Sequence, residues 1–353
     1  MKALILTGGL GTRLRPLTCG APKPLLPIVN VPFIHYQLRA LRRQGVREVI
    51  LATAYQPAAF RRALGDGRRI GLRLRYTVER QPMGTGGAVR HAARFLEGTT
   101  LILNGDILWR LDLASLLRRH RRARADVSIS LVRVKDPTLF GLVETGRDGR
   151  IRRFLEKPSP DEITCDTVNA GAYLFEPSVH GRITRTVPYS LERGLFPELL
   201  RQGKRLFGFV HDGYWLDIGT IDKYLQAHRD ILEGTPGFPI EGLGRRGAFR
   251  LAAGSMLAAT VRHEGPGKVV LGRGTSVGPS VRFVGTVCLG ERCRIGEGAV
   301  LAGCVVLDDA RIGEGAKLEG SVVGRGCRVG AHAALGPGRV LGHGSTIADY
   351  SRL

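Results

Sequence analysis

Residues 2–23 read KALILTGGLGTRLRPLTCGAPK. The apolar residues 3–6 predict a short buried strand, and the glycines that follow end it. Glycines let a backbone approach a ligand closely, so that main-chain N–H groups can surround phosphate oxygens. The spacing differs from that of the dinucleotide fingerprint and of the P-loop. Because Arg13 and Lys23 add two cations, the stretch predicts a strand that leads into a triphosphate-binding loop.

The pattern after this loop alternates between helices and buried strands. Strands are predicted at residues 48–52, 72–78, 100–103 and 127–134, and helices at 32–44, 88–95, 113–124 and 221–232. Such alternation is typical of βαβ units, so we expect an α/β, Rossmann-like domain with a mostly parallel sheet. Its motifs follow strands, at the carboxyl ends where open α/β sheets bind ligands.

The composition and the sequence pattern change after residue 233. Residues 234–247 are rich in Gly and Pro and read as a linker, and from about residue 268 an aliphatic residue followed by Gly recurs roughly every six positions. This period is the signature of a parallel β-helix, which we expect to be left-handed. The predicted organisation is therefore an α/β domain at 1–233, a linker at 234–250 and a β-helix domain at 251–353.

Composition sets broad limits on the function. The 353 residues carry a formal net charge of +22, and the excess is nearly all Arg spread over helix faces. We interpret this as a solvated surface; a nucleic-acid-binding protein is the alternative suggested by charge alone, and no binding motif supports it. The cysteines show no metal-ligand or disulfide spacing, and no apolar run approaches the length of a membrane span. We expect a cytoplasmic protein without a nucleic-acid or membrane partner.

The triplet Asn104-Gly105-Asp106 ends a predicted central strand. A carboxylate at this position can hold Mg²⁺, which prefers oxygen ligands and phosphate company. A second acid is expected, and Asp217 in the sequence YWLDIG supplies it.

The combination of Gly-Gly-x-Gly-Thr-Arg with Pro-Lys-Pro ten residues later resembles the sugar-nucleotide pyrophosphorylases. Within them the chain looks most like the mannose-1-phosphate guanylyltransferases and the related heptose-phosphate guanylyltransferases. The resemblance covers residues 1–232, and a β-helix tail is frequent in that family. It implies that an NTP and a sugar 1-phosphate react, with Mg²⁺, to give an NDP-sugar and pyrophosphate.

The resemblance also implies roles for individual residues. Asp106 and Asp217 would hold the metal from different strands, Arg13 would contact the β- and γ-phosphate oxygens, and Lys23 would contact the phosphates of either substrate. Lys157 resembles the lysine of the family that binds the sugar phosphate. The remaining sugar contacts implied are Gly141, Glu156 and Asn169. The nucleotide contacts implied are Leu6, Gly8, Gly9, Gly11, Thr12, Arg13, Lys23, Glu79, Pro82, Gly84, Thr85 and Gly105.

The segment ERQPMGTGGA at residues 79–88 resembles the base-binding loop of the family. Guanine presents two adjacent donors, and an ionised carboxylate can accept both, so Glu79 argues for GTP. Uracil and thymine suit an amide at this position, and Gln81 is close enough in sequence to take that role. Thymidylyl- or uridylyltransferases for glucose 1-phosphate therefore remain alternatives.

Other readings stay open. Mannose 1-phosphate is favoured by resemblance, with heptose, glucose and N-acetylglucosamine phosphates as alternatives. A non-catalytic regulatory subunit of the same fold is a further alternative, which the intact charged residues oppose. Acyltransferases also contain β-helices and use a histidine as base; His263, His332 and His343 lack the second group that such catalysis needs. We expect the tail to support homo-oligomerisation or regulation.

Overall fold

Buried apolar strands and amphipathic helices alternate over the first two thirds of the chain. The computed structural model describes residues 1–235, 238–240 and 242–353, so positions 236, 237 and 241 of the predicted linker lie outside the described residues. The helices are α1 Phe33–Arg43, α2 Pro57–Leu64, α3 Gly84–Ala92, α4 Leu113–Ala123, α5 Pro177–His180, α6 Phe196–Arg201 and α7 Ile221–Glu233. The strands up to residue 217 are β1 Lys2–Leu6, β2 Pro27–Ile28, β3 Val31–Pro32, β4 Glu48–Thr53, β5 Arg73–Val78, β6 Thr100–Asn104, β7 Ile107–Trp109, β8 Val127–Arg133, β9 Gly141–Thr145, β10 Ile151–Glu156, β11 Thr167–Phe175, β12 Leu206–Val210 and β13 Trp215–Asp217.

The described part of the chain divides into two compact units. The first comprises Met1–Gly9 and Tyr36–Trp215, and the second comprises Leu10–His35 and Leu216–Leu353. The glycine-rich loop is divided between them, since its first two glycines belong to the first unit and the rest belongs to the second.

The first unit is built on one large sheet. Its parallel part has the order β6-β1-β4-β5, with Leu4 of β1 in register with Ile50 of β4 and Ile102 of β6. Strand β11 pairs antiparallel with β6, β8 and β9, while β12 pairs parallel with β8. Central strands read as continuous apolar runs because both faces of the sheet are covered. The Rossmann-like α/β fold predicted for this region is confirmed.

Helix ends follow local chemistry. The carboxylate of Asp112 caps α4 by accepting from Ser115 N at 2.9 Å. The hydroxyl of Thr220 caps α7 by accepting from Lys223 N at 3.3 Å, and Gly234 ends that helix with φ +98°. These are the residue types that helix termini favour, which is why the predicted bounds of both helices lie within one residue of those observed.

The second unit is dominated by three ladders of short parallel strands. The strands are β14 Gly244–Arg246, β15 Phe249–Leu251, β16 Met256–Leu257, β17 Arg262–Glu264, β18 Val269–Leu271, β19 Ser276–Val277, β20 Arg282–Val284, β21 Val287–Leu289, β22 Arg294–Ile295, β23 Val300–Ala302, β24 Val305–Val306, β25 Arg311–Ile312, β26 Lys317–Glu319, β27 Val322–Val323, β28 Arg328–Val329, β29 Ala334–Leu335, β30 Val340–Leu341 and β31 Thr346–Ile347. From β15 to β28, each strand pairs in parallel with the strand three places further along the chain. This is the architecture of a parallel β-helix, as predicted; its left-handedness stays a prediction.

One ladder shows how the β-helix builds its core. Ile295, Ile312 and Val329 are buried and stack in register, while the residue before each is an exposed arginine. The strands alternate between a side chain that faces the core and one that faces solvent, as the period of two requires. All six cysteines of the chain are free, and the four in the β-helix are buried, where they pack as small apolar residues. No helix within the described residues is long and apolar enough to cross a membrane.

Candidate active site

The residues predicted to form the site fall into both units, and each group is described within its own unit. The first unit holds Leu6, Gly8, Gly9, Glu79, Pro82, Gly84, Thr85, Gly105, Asp106, Gly141, Glu156, Lys157 and Asn169. The second unit holds Gly11, Thr12, Arg13, Lys23 and Asp217.

The carboxyl ends of β1 and β6 lie side by side. Leu6 is in register with Asn104, and Gly105 N donates to Leu6 O at 2.9 Å. A Cβ on Gly105 would lie 2.5 Å from Leu6 O, so only glycine allows this approach. Asp106 follows directly and is half-buried. The two strands therefore bring the start of the glycine-rich loop and the predicted metal ligand Asp106 to one edge of the sheet.

The carboxylate of Glu79 is buried beside this edge. It follows β5, is only 7% exposed, and its Oε2 accepts from Met83 N at 3.1 Å. A Cβ on Gly8 would lie 3.3 Å from Oε1, so this oxygen lies against the glycine-rich loop. Among the described residues Oε1 has no hydrogen-bond partner. Burial raises the pKa of Glu79.

The loop after Glu79 is held by Tyr189. Helix α3 begins at Gly84, four residues earlier than predicted, because Gly86 N and Gly87 N donate to Tyr189 O at 2.8 and 3.2 Å. Gly84 itself has φ +74°, and a Cβ there would lie 2.5 Å from Tyr189 O. Tertiary contacts thus override the low helix propensity of the Gly-Thr-Gly-Gly sequence. Pro82, before this helix, is exposed.

Glu192 links the start of α3, in the predicted base-binding loop, to the predicted sugar site. Thr85 Oγ1 donates to Glu192 Oε2 at 2.7 Å, and Tyr173 O–H donates to Glu192 Oε1 at 3.3 Å. Asn169 Nδ2 in turn donates to the Tyr173 hydroxyl at 2.8 Å, while its Oδ1 accepts from Gly171 N at 2.9 Å. The side chains of Thr85 and Asn169 are therefore fixed by one continuous hydrogen-bond network.

The hairpin of β9 and β10 places Glu156 and Lys157. Glu156 is in register with Gly141, where a Cβ would lie 2.9 Å from Glu156 Oε2. Burial, and then the charge of Glu192, raise the pKa of Glu156. Lys157 has the left-handed φ of +55°, its N donates to Phe140 O at 3.0 Å, and its side chain is exposed.

The part of the loop in the second unit is a tight coil around Gly11. Gly11 has φ +62°, and a Cβ there would lie 3.0 Å from Thr18 Cγ2 and 3.1 Å from Lys23 Cβ. Thr18 Oγ1 donates to Gly11 O at 2.8 Å, and Leu14 N donates to the same oxygen at 3.0 Å. Glycine is required here for both its conformation and its size. Thr12, on the outside of the coil, is exposed.

Two cations of the loop lie along the segment 217–219. Lys23 is only 7% exposed, and its Nζ lies 3.7 Å from Asp217 Oδ1. A Cβ on Gly219 would lie 2.8 Å from Arg13 Nη1, so the guanidinium packs on the bare backbone of that glycine. A buried lysine needs an anionic partner, and Asp217 provides one. Residues that the sequence places more than 190 positions apart thus form one charged cluster.

Comparison with known families agrees with this geometry. Residues 2–234 match the nucleotidyl transferase family. The chain belongs to this family of enzymes. Residues 266–353 match the family described as the GMPPB C-terminal domain. The α/β part and the β-helix part of this nucleotidyl transferase each match a known family.

Two relatives and one solved structure show which members of the family this chain is similar to. The chain is 40% identical over 314 residues to a mannose-1-phosphate guanylyltransferase of Mycobacterium tuberculosis (strain ATCC 25618 / H37Rv), an alignment covering 87% of this chain and 83% of the relative. It is 36% identical over 232 residues to the D-glycero-alpha-D-manno-heptose 1-phosphate guanylyltransferase of Aneurinibacillus thermoaerophilus, covering 65% of this chain and 98% of the relative. HddC from Yersinia pseudotuberculosis complexed with GMP-PN is similar in structure, with a TM-score of 0.56, 26% identity, and coverage of 64% of this chain and 97% of that one.

Asp106 in the first unit and Asp217 in the second each offer the oxygen donors that Mg²⁺ prefers. The described residues contain no group of three or more His, Cys, Asp or Glu side chains that could hold a metal by themselves. Mg²⁺ is usually held by one or two carboxylates together with substrate phosphates. The side chains of both predicted ligands, Asp106 and Asp217, are partly exposed.

Sequence reasoning missed the residues that support the site. Tyr173, Tyr189 and Glu192 were not among the predicted functional residues, although they hold the start of α3 and strand β11 in place. Their role depends on contacts across 107 positions, as between Thr85 and Glu192. A buried Tyr in the middle of an apolar strand reads as a core residue, so no local signal distinguishes Tyr173.

Proposed function

We propose that this chain is a mannose-1-phosphate guanylyltransferase, which makes GDP-mannose and pyrophosphate from GTP and mannose 1-phosphate. The observation that carries the choice of nucleotide is Glu79: its carboxylate is buried against the glycine-rich loop, and Oε1 lacks a partner among the described residues. A buried acceptor of this kind favours a base with donors at its edge, as guanine has. The names of both curated relatives, guanylyltransferases, support the same choice.

The choice of sugar rests on the share of this chain that aligns with each relative. The heptose 1-phosphate guanylyltransferase aligns with 65% of this chain, whereas the mannose enzyme of M. tuberculosis aligns with 87%. The match of residues 266–353 to the GMPPB C-terminal domain points the same way. Heptose 1-phosphate is the second candidate, because the heptose enzyme matches the first part of the chain over 98% of its own length.

In the proposed reaction, a phosphate oxygen of mannose 1-phosphate attacks the α-phosphorus of GTP in line. The new P–O bond forms as the bond to the bridging α–β oxygen breaks, and pyrophosphate leaves with that electron pair. The attacking oxygen is already anionic, so no general base is needed, and catalysis consists of positioning and charge stabilisation. Arg13 and Lys23 would bind the nucleotide phosphates, and the exposed Lys157 would bind the sugar phosphate.

We propose Mg²⁺ as the cofactor, with Asp106 and Asp217 as its protein ligands. When bound, the ion neutralises charge on the α-phosphoryl group and on the leaving pyrophosphate. Within the second unit, Asp217 Oδ1 also lies 3.7 Å from Lys23 Nζ and so can orient that cation.

We further propose that the enzyme acts in the cytoplasm as a homo-oligomer formed through the β-helix. Light scattering of the purified chain would test this assembly, because the monomer has a mass of 38.3 kDa.

The direct test of this proposal is pyrophosphate release. The purified chain with GTP, mannose 1-phosphate and Mg²⁺ is expected to release pyrophosphate, and Asp106→Asn and Asp217→Asn are each expected to lower kcat by about 10²-fold or more, since each removes a charge that holds the metal. Asp212→Asn, an exposed aspartate five positions before Asp217, is the matched control and should retain activity.

Two results would contradict the proposal. Near-normal Mg²⁺-dependent turnover in either aspartate variant would remove that residue from the metal site. No pyrophosphate release by the wild-type chain, with any NTP, would instead favour a regulatory subunit of the same fold.

A further inference from the structure

His343 connects the last coils of the β-helix to the glycine-rich loop. Its Nε2 lies 3.1 Å from Leu17 O, and its Nδ1 accepts from Arg325 N at 3.0 Å. An N–H donor opposite Nδ1 and a carbonyl opposite Nε2 are both satisfied by the neutral ring with its proton on Nε2. Burial lowers the pKa of His343 and so favours this neutral form.

The surfaces around this hydrogen bond are in close contact. A Cβ on Gly20 would lie 2.9 Å from His343 Cδ2, and a Cβ on Gly342 would lie 3.2 Å from Pro16 Cβ. The imidazole therefore occupies the space beside Gly20, and the β-helix turn at Gly342 packs on Pro16. Since larger residues would meet side chains on the other surface, the fit depends on both glycines.

The other end of the loop segment is also attached to the β-helix. Asn30 Nδ2, in the turn between β2 and β3, donates to Leu289 O at 2.7 Å. The thiol of Cys288 lies 3.5 Å from Asn30 Oδ1. Lys23 thus lies between two points of attachment to the β-helix, Leu17 and Asn30, while Gly11 precedes the first of them by six residues; residues 10–35 group with the β-helix in one compact unit.

The attachment at His343 is close to the part of the loop that is predicted to bind phosphate. Leu17, whose carbonyl accepts from the imidazole, directly precedes Thr18. The hydroxyl of Thr18 donates to Gly11 O at 2.8 Å, and Gly11 in turn packs against Lys23. A shift of Leu17 would therefore be passed through one residue to the coil around Gly11.

We propose that His343 is a positioning residue through which the β-helix sets the conformation of the glycine-rich loop. The role in catalysis rests on the proposed function, because it requires that this loop binds the nucleotide phosphates. We assign His343 no contact with either substrate. The tail of the enzyme is thereby assigned a part in nucleotide binding besides any part in assembly.

Two substitutions separate the two hydrogen bonds of His343. Asn places an acceptor where Nδ1 lies but cannot reach Leu17 O, whereas Gln places a donor near the position of Nε2. We expect His343→Asn to raise the KM for GTP about 5- to 10-fold, as the loss of one hydrogen bond would, with a smaller change in kcat. His343→Gln should stay within about twofold of wild type, since it retains the donor to Leu17 O.

The matched control is His332→Asn, also in the β-helix. His332 stacks on Tyr350 with ring centroids 5.0 Å apart, and its left-handed φ of +56° is one that Asn tolerates. This variant should leave the KM for GTP unchanged. A wild-type KM in His343→Asn, or an equal rise in His343→Asn and His343→Gln, would overturn the proposal.

Amide hydrogen exchange of the full-length chain provides a readout that does not require turnover. His343→Asn should speed exchange at Leu14 and Cys19, whose amides are bonded to Gly11 O and Pro16 O within the loop, while His343→Gln should not. Unchanged exchange in His343→Asn would overturn the positioning role. If the wild-type chain were inactive, this measurement would still decide whether His343 holds the loop, so the two failures are distinguishable.

Discussion

The surroundings of Glu79 bear directly on which nucleotide this enzyme uses. One carboxylate oxygen accepts from Met83 N, and the other lies against Gly8 without a partner among the described residues. Glu79 could be predicted as a base contact from the sequence, because residues 79–88 resemble the base-binding loop of the family. Its burial and its raised pKa were not, since both depend on contacts with parts of the chain that are distant in sequence.

Glu79→Gln is expected to shift the nucleotide preference. An amide offers guanine one acceptor and a competing donor, so kcat/KM for GTP should fall about 10- to 100-fold, with a smaller loss for UTP and dTTP. Steady-state assays with each NTP measure the shift. Gln81→Ala is the control, because the exposed Gln81 is the alternative base contact; if this variant changes the preference and Glu79→Gln does not, the assignment of Glu79 is wrong.

At the scale of elements, Glu192 joins the start of α3 to strand β11. Its two oxygens accept from Thr85 and Tyr173, and the network continues to Asn169. Such a network is invisible to a period-based reading of the sequence, which finds helices and strands but not which of their side chains meet.

Removing this link should affect both substrates. Glu192→Ala is expected to raise the KM for GTP and for mannose 1-phosphate by about 5- to 50-fold each, because it removes the acceptor for the half-buried Thr85 hydroxyl and for the buried Tyr173 hydroxyl. Steady-state kinetics with either substrate varied provide the measurement. The control is Glu162→Ala, a glutamate whose side chain accepts from Ser159 and lies 3.8 Å from Arg153 at the surface. An effect on one substrate alone would show that the network does not couple the two sites.

Helix α7 holds the β2–β3 hairpin through two buried side chains. Tyr224 O–H donates to Pro27 O at 2.5 Å, and Val29 N donates to His228 Nδ1 at 3.2 Å. Burial lowers the pKa of His228 to about 3, so the folded protein holds the neutral ring.

This predicts a pH-dependent stability. The pKa of an unfolded His is about 6.5, so the contribution of His228 is fully present above that pH and is lost as pH falls toward 3, by about 2 kcal/mol at pH 5. Urea-unfolding midpoints at pH 7.5 and pH 5 should therefore differ less in His228→Gln than in the wild type. His332→Asn should keep the wild-type difference, and an unaltered difference in His228→Gln would contradict the assignment.

At the scale of the whole molecule, what could be predicted followed from local pattern. Apolar runs and capping residues such as Asp112 and Thr220 indicate strands and helices, and the aliphatic-Gly period indicates the β-helix, since each signal lies within a few residues. The contact between Leu17 and His343 spans 326 positions and involves a carbonyl and a turn histidine, neither of which carries a sequence signal. Nor does the sequence indicate that residues 10–35 group with the β-helix.

The central claim is that this nucleotidyl transferase uses GTP and mannose 1-phosphate. The most direct measurement is pyrophosphate release by the purified wild-type chain with Mg²⁺, using GTP, ATP, UTP and dTTP against mannose, glucose, N-acetylglucosamine and heptose 1-phosphates. The highest kcat/KM is predicted for GTP with mannose 1-phosphate, and GTP should be preferred with every sugar that reacts, because the proposed contact of Glu79 is with the base alone. Faster turnover with UTP or dTTP than with GTP would contradict the account.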